Sequence, residues 1–191
     1  MESRVRIAID AMGGDHAPDE IVKGALLAAR QGLASIILVG DKPRLDPLLQ
    51  GVDLASLGIS VVHAGEVIGM DETPTTALRQ KKDASITVAL RQVKDGHADA
   101  VVAAGSTGAA MAAALMTLGR IPGIERPAIA VVLPTQAGPA VLLDVGANVD
   151  AKPTYLHQFA IMGSVLFSAM EGVARPSIGL LNVGTEAIKG N

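Results

Sequence analysis

The residues of this chain that could do chemistry gather in glycine-rich turns, each placed after a short apolar run. The first turn, Asp10-Ala-Met-Gly13-Gly14-Asp15-His16-Ala-Pro18, leads from an extended pattern into a helical one. Paired glycines let main chain approach a bound group without a Cβ in the way, and unpaired N–H groups at a helix start donate to anions. Asp10 and Asp15 repel phosphate unless a cation or a hydrogen-bond network intervenes, so they are expected to shape the loop. His16 can donate to a phosphate or carbonyl oxygen. A second turn, Gly105-Ser106-Thr107-Gly108, opens another helix, where a hydroxyl can cap the helix or grip a phosphate oxygen. A third, Asp144-Val-Gly-Ala-Asn148-Val-Asp150, contains the amide of Asn148. A fourth, Leu181-Asn-Val-Gly184-Thr185-Glu-Ala-Ile-Lys189-Gly-Asn191, holds the one lysine found in such a turn. Lys189 can neutralise a phosphate or a developing oxyanion, or it can be an exposed lysine near a terminus. Tight turns alone would use glycine in the same way. If the turns share one rim of a sheet, Gly13, Gly105 and Gly184 should line a common pocket for a small anion.

Other chemistries lack their residues. The four histidines show no metal-ligand spacing, so no metal is expected; His97 reads as solvated, while His63 and His157 read as structural, His63 as a satisfied core residue. GxGxxG, GxxxxGK and GxSxG are all absent, which removes the usual dinucleotide, nucleoside-triphosphate and serine-hydrolase signatures, and no cofactor is expected. There is no cysteine, hence no disulfide and no thiol nucleophile. A formal net charge of -3 and a content of two Phe, one Tyr and no Trp leave little for a nucleic acid to bind. The run Arg79-Gln-Lys-Lys82 is either a solvated face or a surface for an acidic partner.

Positioning such turns requires strands and helices in alternation. With 49% hydrophobic residues in 191, the chain can close a core as one α/β domain over 1–191 or as two tightly joined halves. Extended patterns cover residues 4–9, 35–39, 59–63, 98–103, 128–133, 140–144 and 177–182, and helical ones 18–31, 43–50, 84–94, 107–118 and 153–171. Most strands are continuous apolar runs, as in a parallel sheet covered on both faces. The link Pro134-Thr-Gln-Ala-Gly138-Pro is too short for a crossover helix, so 128–133 and 140–144 are expected to form an antiparallel hairpin that makes the sheet mixed. The residues before Asp10 hold too few apolar side chains for a signal peptide, and no apolar stretch approaches the roughly 20 residues of a membrane span. A cytoplasmic location is expected.

In order along the chain, IAIDAMGGDHAPDEIVKGA, LVGD, AAGSTGA, GRIPGIERPAIA, LLDVGANVDAKP, IMGSV and GLLNVGTEAIKGN resemble the phosphate acyltransferases of bacterial phospholipid synthesis. The resemblance implies a three-layer Rossmann-like fold related to isocitrate and isopropylmalate dehydrogenases. It implies transfer of a fatty acyl group from acyl-carrier protein to inorganic phosphate, the acyl phosphate then serving a membrane glycerol-3-phosphate acyltransferase. It also implies a homodimer, peripheral association with the membrane, and a longer chain than this one. Lys189 falls in the family's GTExxKG turn, which gives it the catalytic role together with His16. Gly13, Gly14, Asp15, Gly105, Ser106, Thr107, Gly108, Asn148, Gly184 and Thr185 would hold phosphate or substrate. Two positions matter: Ser106 stands where the family has Asn and can make fewer hydrogen bonds, and the family accepts other residues at the place of His16. Two other readings stay open. One is a dehydrogenase-like enzyme on the same fold, which would need clustered Asp ligands and an Arg-rich carboxylate site; the other is a non-catalytic module that binds an anion or acyl-carrier protein.

Overall fold

Four of the apolar runs are strands because each gives a neighbour a matching ladder. β1 (Arg6–Asp10), β2 (Ser35–Gly40), β3 (Ile59–His63) and β4 (Ala100–Ala103) form one sheet in the order β3-β2-β1-β4. Every ladder in it is parallel. This computed structural model describes residues 4–148, 150–182 and 184. It divides into two compact units, residues 1–119 and 120–191.

In the first unit, alternation along the strands splits the apolar side chains between two faces. Ile36, Leu38 and Ile59 pack with Val22, Ala25 and Ala29 of α1 (Asp19–Arg30) on one face. On the other, Ala8 and Val39 pack with Val88 and Ala89 of α5 (Ser85–Lys94). α6 (Thr107–Thr117) joins α5 and α4 (Pro74–Gln80) through Ala109 and Ala113, whose small side chains let the helices come close. Helices thus cover both faces of the sheet, which makes this unit a three-layer, Rossmann-like arrangement. Side chains such as Leu38 and Leu45 are fully buried, each contributing roughly 1.5–3 kcal/mol by burial.

The second unit is thinner. β5 (Ala130–Thr135) and β6 (Gly138–Leu143) pair antiparallel, with Thr135 opposite Gly138. Thr135 closes their turn, its hydroxyl donating to Gly138 O at 2.7 Å and accepting from Ala137 N at 3.2 Å. α7 (Pro153–Glu171) lies on β6, where a Cβ on Gly163 would stand 3.2 Å from Leu143 Cδ1. Tyr155 and Phe159 are its buried aromatics.

Several expectations are corrected. The hairpin forms, but among the described residues it is a sheet of its own, so the four-stranded sheet is purely parallel. Residues 177–182 are not a strand. An apolar, β-branched run needs a ladder, no sheet of the described residues includes it, and Leu180 and Leu181 remain 75% and 81% exposed. The helix expected at 43–50 is α2 (Lys42–Leu45) followed by a 3-10 turn, Asp46–Leu49, because Pro47 has no N–H to continue the α-helical ladder. α3 (Leu54–Leu57) and α4 were not anticipated. His63 is exposed rather than in the core, and its Nδ1 accepts a hydrogen bond from Lys42 N at 3.2 Å. Among the described residues no helix is long and apolar enough to cross a membrane, and no group of three or more His, Cys, Asp or Glu could hold a metal ion.

Candidate functional site

A parallel sheet in the order β3-β2-β1-β4 reverses its direction of winding between β1 and β4. The chain leaves β1 for α1 on one face and leaves β4 for α6 on the other. Ligands of open α/β sheets bind at the carboxyl ends of the strands flanking such a reversal. The first two glycine turns are the loops that leave these two strand ends.

The two turns touch. A Cβ on Gly13 would stand 3.2 Å from Gly105 Cα, and one on Gly105 would stand 3.1 Å from Gly13 Cα. Gly14, at φ +124, presents its Cα to the main chain of Ala104, whose oxygen a Cβ would meet at 3.2 Å. Only residues without side chains allow two backbones so near each other. The space beneath them is about 10 Å³, bounded by Asp10, Ala103, Ile68, Ile86 and Ala109. That is room for about one water molecule.

Asp10 anchors the contact from within. It is 4% exposed, and its Oδ1 accepts from Met12 N at 3.1 Å and Gly13 N at 3.2 Å. Burial pushes its carboxyl above the ordinary value of 3.8, against the opposing hydrogen bonds from Ser85, Met12 and Gly13. Asp10 therefore shapes the loop, as expected of it. Ser85, the buried first residue of α5, is a partner that the motifs did not reveal. Nearby, Lys81 Nζ donates to Val67 O at 2.6 Å and pairs with Glu72 at 2.5 Å, while Glu72 also accepts from Gly69 N at 2.7 Å. These bonds hold Ile68 in the wall of the cavity. The Lys81 ammonium, followed by the Gly69 amide, keeps the Glu72 carboxyl below its ordinary value.

The two helix starts differ in charge. α1 carries Asp19 and Glu20 in its first turn, with Asp15 and His16 exposed just before them. α6 has no acidic residue in its first turn. Ser106 caps α6, its Oγ accepting from Ala109 N at 3.3 Å, and its carbonyl accepts from Ala110 N. Thr107 and Gly108 are exposed beside it, and their N–H groups are first-turn donors with no intrahelical acceptor. An anion thus meets a favourable helix dipole at Ser106–Gly108 and a carboxylate-lined one at Asp15–Glu20.

The remaining residues belong to the second unit. Asn148 is half-buried after β6, its Nδ2 donating to Asp144 Oδ1 at 3.0 Å and to Pro127 O at 3.2 Å. Asp144 adopts φ +64, a left-handed conformation that few non-glycine residues hold, stabilised here by the Asn148 amides. The sequence marks Asp144 only as the first residue of its glycine turn, not as the partner of Asn148. Gly184 is half-buried, and Thr185 and Lys189 lie outside the described residues.

Comparison with known proteins adds to this geometry. The chain is 57% identical over 188 residues to a phosphate acyltransferase of Heliobacterium modesticaldum, covering 98% of this chain and 56% of that protein. It is 56% identical over 187 residues to a phosphate acyltransferase of Moorella thermoacetica, covering 98% and 55%. A phosphate acyltransferase of Gloeothece citriformis is 53% identical over 191 residues, covering 99% and 54%. The chain thus spans about half the length of the curated relatives it matches. A family model described as "Fatty acid synthesis protein" matches residues 5–191, and with nearly its whole length inside that match the chain belongs to the family of fatty acid synthesis proteins.

Proposed function

We propose that this chain serves an acyltransferase that moves a fatty acyl group from acyl-carrier protein to inorganic phosphate, giving an acyl phosphate for phospholipid synthesis. The observation that carries the reading is the identity of 53–57% to proteins named phosphate acyltransferase across nearly all of this chain. In the reaction, a phosphate oxygen forms a bond to the thioester carbonyl carbon, and the carbon–sulfur bond breaks to release the carrier thiol. Phosphate is the nucleophile, so the chain's lack of cysteine is no obstacle. What the protein must supply is position and charge stabilisation.

The turn from Gly105 through Ser106 and Thr107 to Gly108 is the part of the site best suited to seat phosphate, because its helix start carries no carboxylate. Gly13 and Gly14 let the neighbouring turn approach it, Asp15 and His16 stand at the outer rim, and His16 can donate to the carbonyl oxygen. By the family resemblance, Lys189 neutralises phosphate or the developing oxyanion, and Asn148, Gly184 and Thr185 contribute to binding phosphate or substrate. In this reading the fold is of the isocitrate and isopropylmalate dehydrogenase kind. The protein works as a cytoplasmic homodimer, peripheral to the membrane, and hands its product to a membrane glycerol-3-phosphate acyltransferase.

The test is to incubate the full-length protein with acyl-acyl-carrier protein and follow the thioester with and without phosphate. Phosphate-dependent loss of the thioester is the expected result; nicotinamide reduction, or neither change, would refute the assignment. Lys189→Ala should reduce turnover about 10²–10³-fold in a folded protein, the cost of one lost oxyanion donor.

A further inference from the structure

A hollow of about 210 Å³ opens along the seam of α5 and α6 and shares no lining residue with the cavity under Gly13 and Gly105. Thr87, Arg91 and Lys94 stand at i, i+4 and i+7 of α5 and so lie along one helix face. Met116 and Thr117 of α6 line the opposite side. Buried Leu78 and Ala113 give it an apolar floor, and Lys82 adds a third cation at the edge.

Two independent features of this hollow point to an anion. Lys82, Arg91 and Lys94 are all exposed, and none forms an ion pair among the described residues. The Arg91 guanidinium donates instead to the main-chain oxygen of Lys82 at 3.1 Å, which fixes it at the rim without neutralising it. Separately, the Thr87 hydroxyl is buried and has no hydrogen-bond partner. A buried hydroxyl in that state is costly; its oxygen is closed to solvent, so an acceptor in the hollow satisfies it once the Thr87 side chain turns toward the hollow, a rotation that the unmade bond favours. Three clustered positive charges relieve their repulsion through the same oxygen-rich ligand. The apolar floor asks for something more than a bare anion.

We propose that the hollow binds a small phosphate monoester with a short apolar tail, its phosphate held by Thr87, Arg91 and Lys94 and its tail laid against Leu78 and Met116. This site is separate from the one assigned to acyl transfer and does not depend on that assignment.

The experiment is a titration of the intact, isotope-labelled protein with hexyl phosphate and, in parallel, inorganic phosphate, following the backbone amide signals of Thr87, Arg91 and Thr117. Hexyl phosphate should move these signals saturably and bind at least about tenfold more tightly than phosphate, since its methylenes leave water for the floor. Thr87→Val should weaken binding about tenfold, yet leave the unliganded protein at least as resistant to heat, because it removes a hydroxyl that lacked a partner. Lys94→Glu should abolish the shifts without altering phosphate-dependent acyl transfer. Static amide signals with both probes would overturn the proposal, as would shifts that survive both substitutions. Equal affinity for the two probes would overturn the monoester assignment, whereas failure of acyl transfer alone would count only against the enzymatic reading.

Discussion

The two units use similar apolar side chains to different ends. In residues 1–119 the central strands β1 and β2 are covered on both faces, with Ala8, Leu38 and Val39 fully shielded, while Val102 on the edge strand β4 stays 50% exposed. In residues 120–191 the only strands among the described residues are two, and Val131, Val132 and Leu133 of β5 remain exposed. α7 buries Tyr155 and Phe159 but leaves Ile161, Val165 and Met170 on its surface. Hydrophobic composition therefore does not decide burial. What decides it, among the described residues, is whether a second layer arrives on each face.

The sharpest way to break this contrast is a pair of truncations. Leu38→Ala should cost about 2–5 kcal/mol in urea denaturation, as expected for a cavity opened in a closed core. Leu180→Ala should stay within about 0.5 kcal/mol, because that side chain is already in solvent. Similar losses for both would show that the units are equally closed. Hydrogen exchange tests the same difference without mutation: amides of β1 and β2 should exchange at least about a hundredfold more slowly than those of β5 and β6. Equal protection would refute the contrast.

Smaller effects sharpen it at single residues. In Gly13→Ala the new methyl meets Asp10 Oδ2 at 2.6 Å and Gly105 Cα at 3.2 Å, and the cost should be about 1–3 kcal/mol. Gly179→Ala, with nothing within 4 Å, should be close to neutral by the same assay. The smallest effect concerns pH. Because burial raises the Asp10 carboxyl above 3.8, its contribution to stability is fully present below that value and is lost as pH rises through the elevated one. Asp10→Asn should remove this decline, so the stability of the wild type relative to the variant should fall as pH climbs from about 3.8. A difference that is constant with pH would place the Asp10 carboxyl in a polar setting.

The sequence made the parallel strands legible because their apolar runs are continuous and each is bounded by glycine or aspartate. α1 was legible from Pro18, Asp19 and Glu20, and the hairpin from the short link at Pro134. What could not be read was pairing. Residues 177–182 have the side chains of a strand but enter no ladder among the described residues, and nothing in a one-dimensional pattern reports that. α4 was missed because Pro74-Thr-Thr-Ala-Leu-Arg-Gln is too short to show a helical period. The glycine turns of the candidate site and a pocket shared by Gly13 and Gly105 could be expected from the sequence, but the direct backbone contact between these two glycines could not. The Asp10–Ser85 interaction joins residues remote in sequence and likewise left no local trace.

The meeting of Gly13 and Gly105 also constrains how the rim can be redesigned. Each turn is the other's steric stop, so a bulkier residue at either position requires both loops to shift together, and neither can be retuned alone. Freedom to alter ligand preference therefore lies one step outward, at Asp15, His16 and Thr107, whose side chains face solvent and can change without disturbing the backbone contact beneath them.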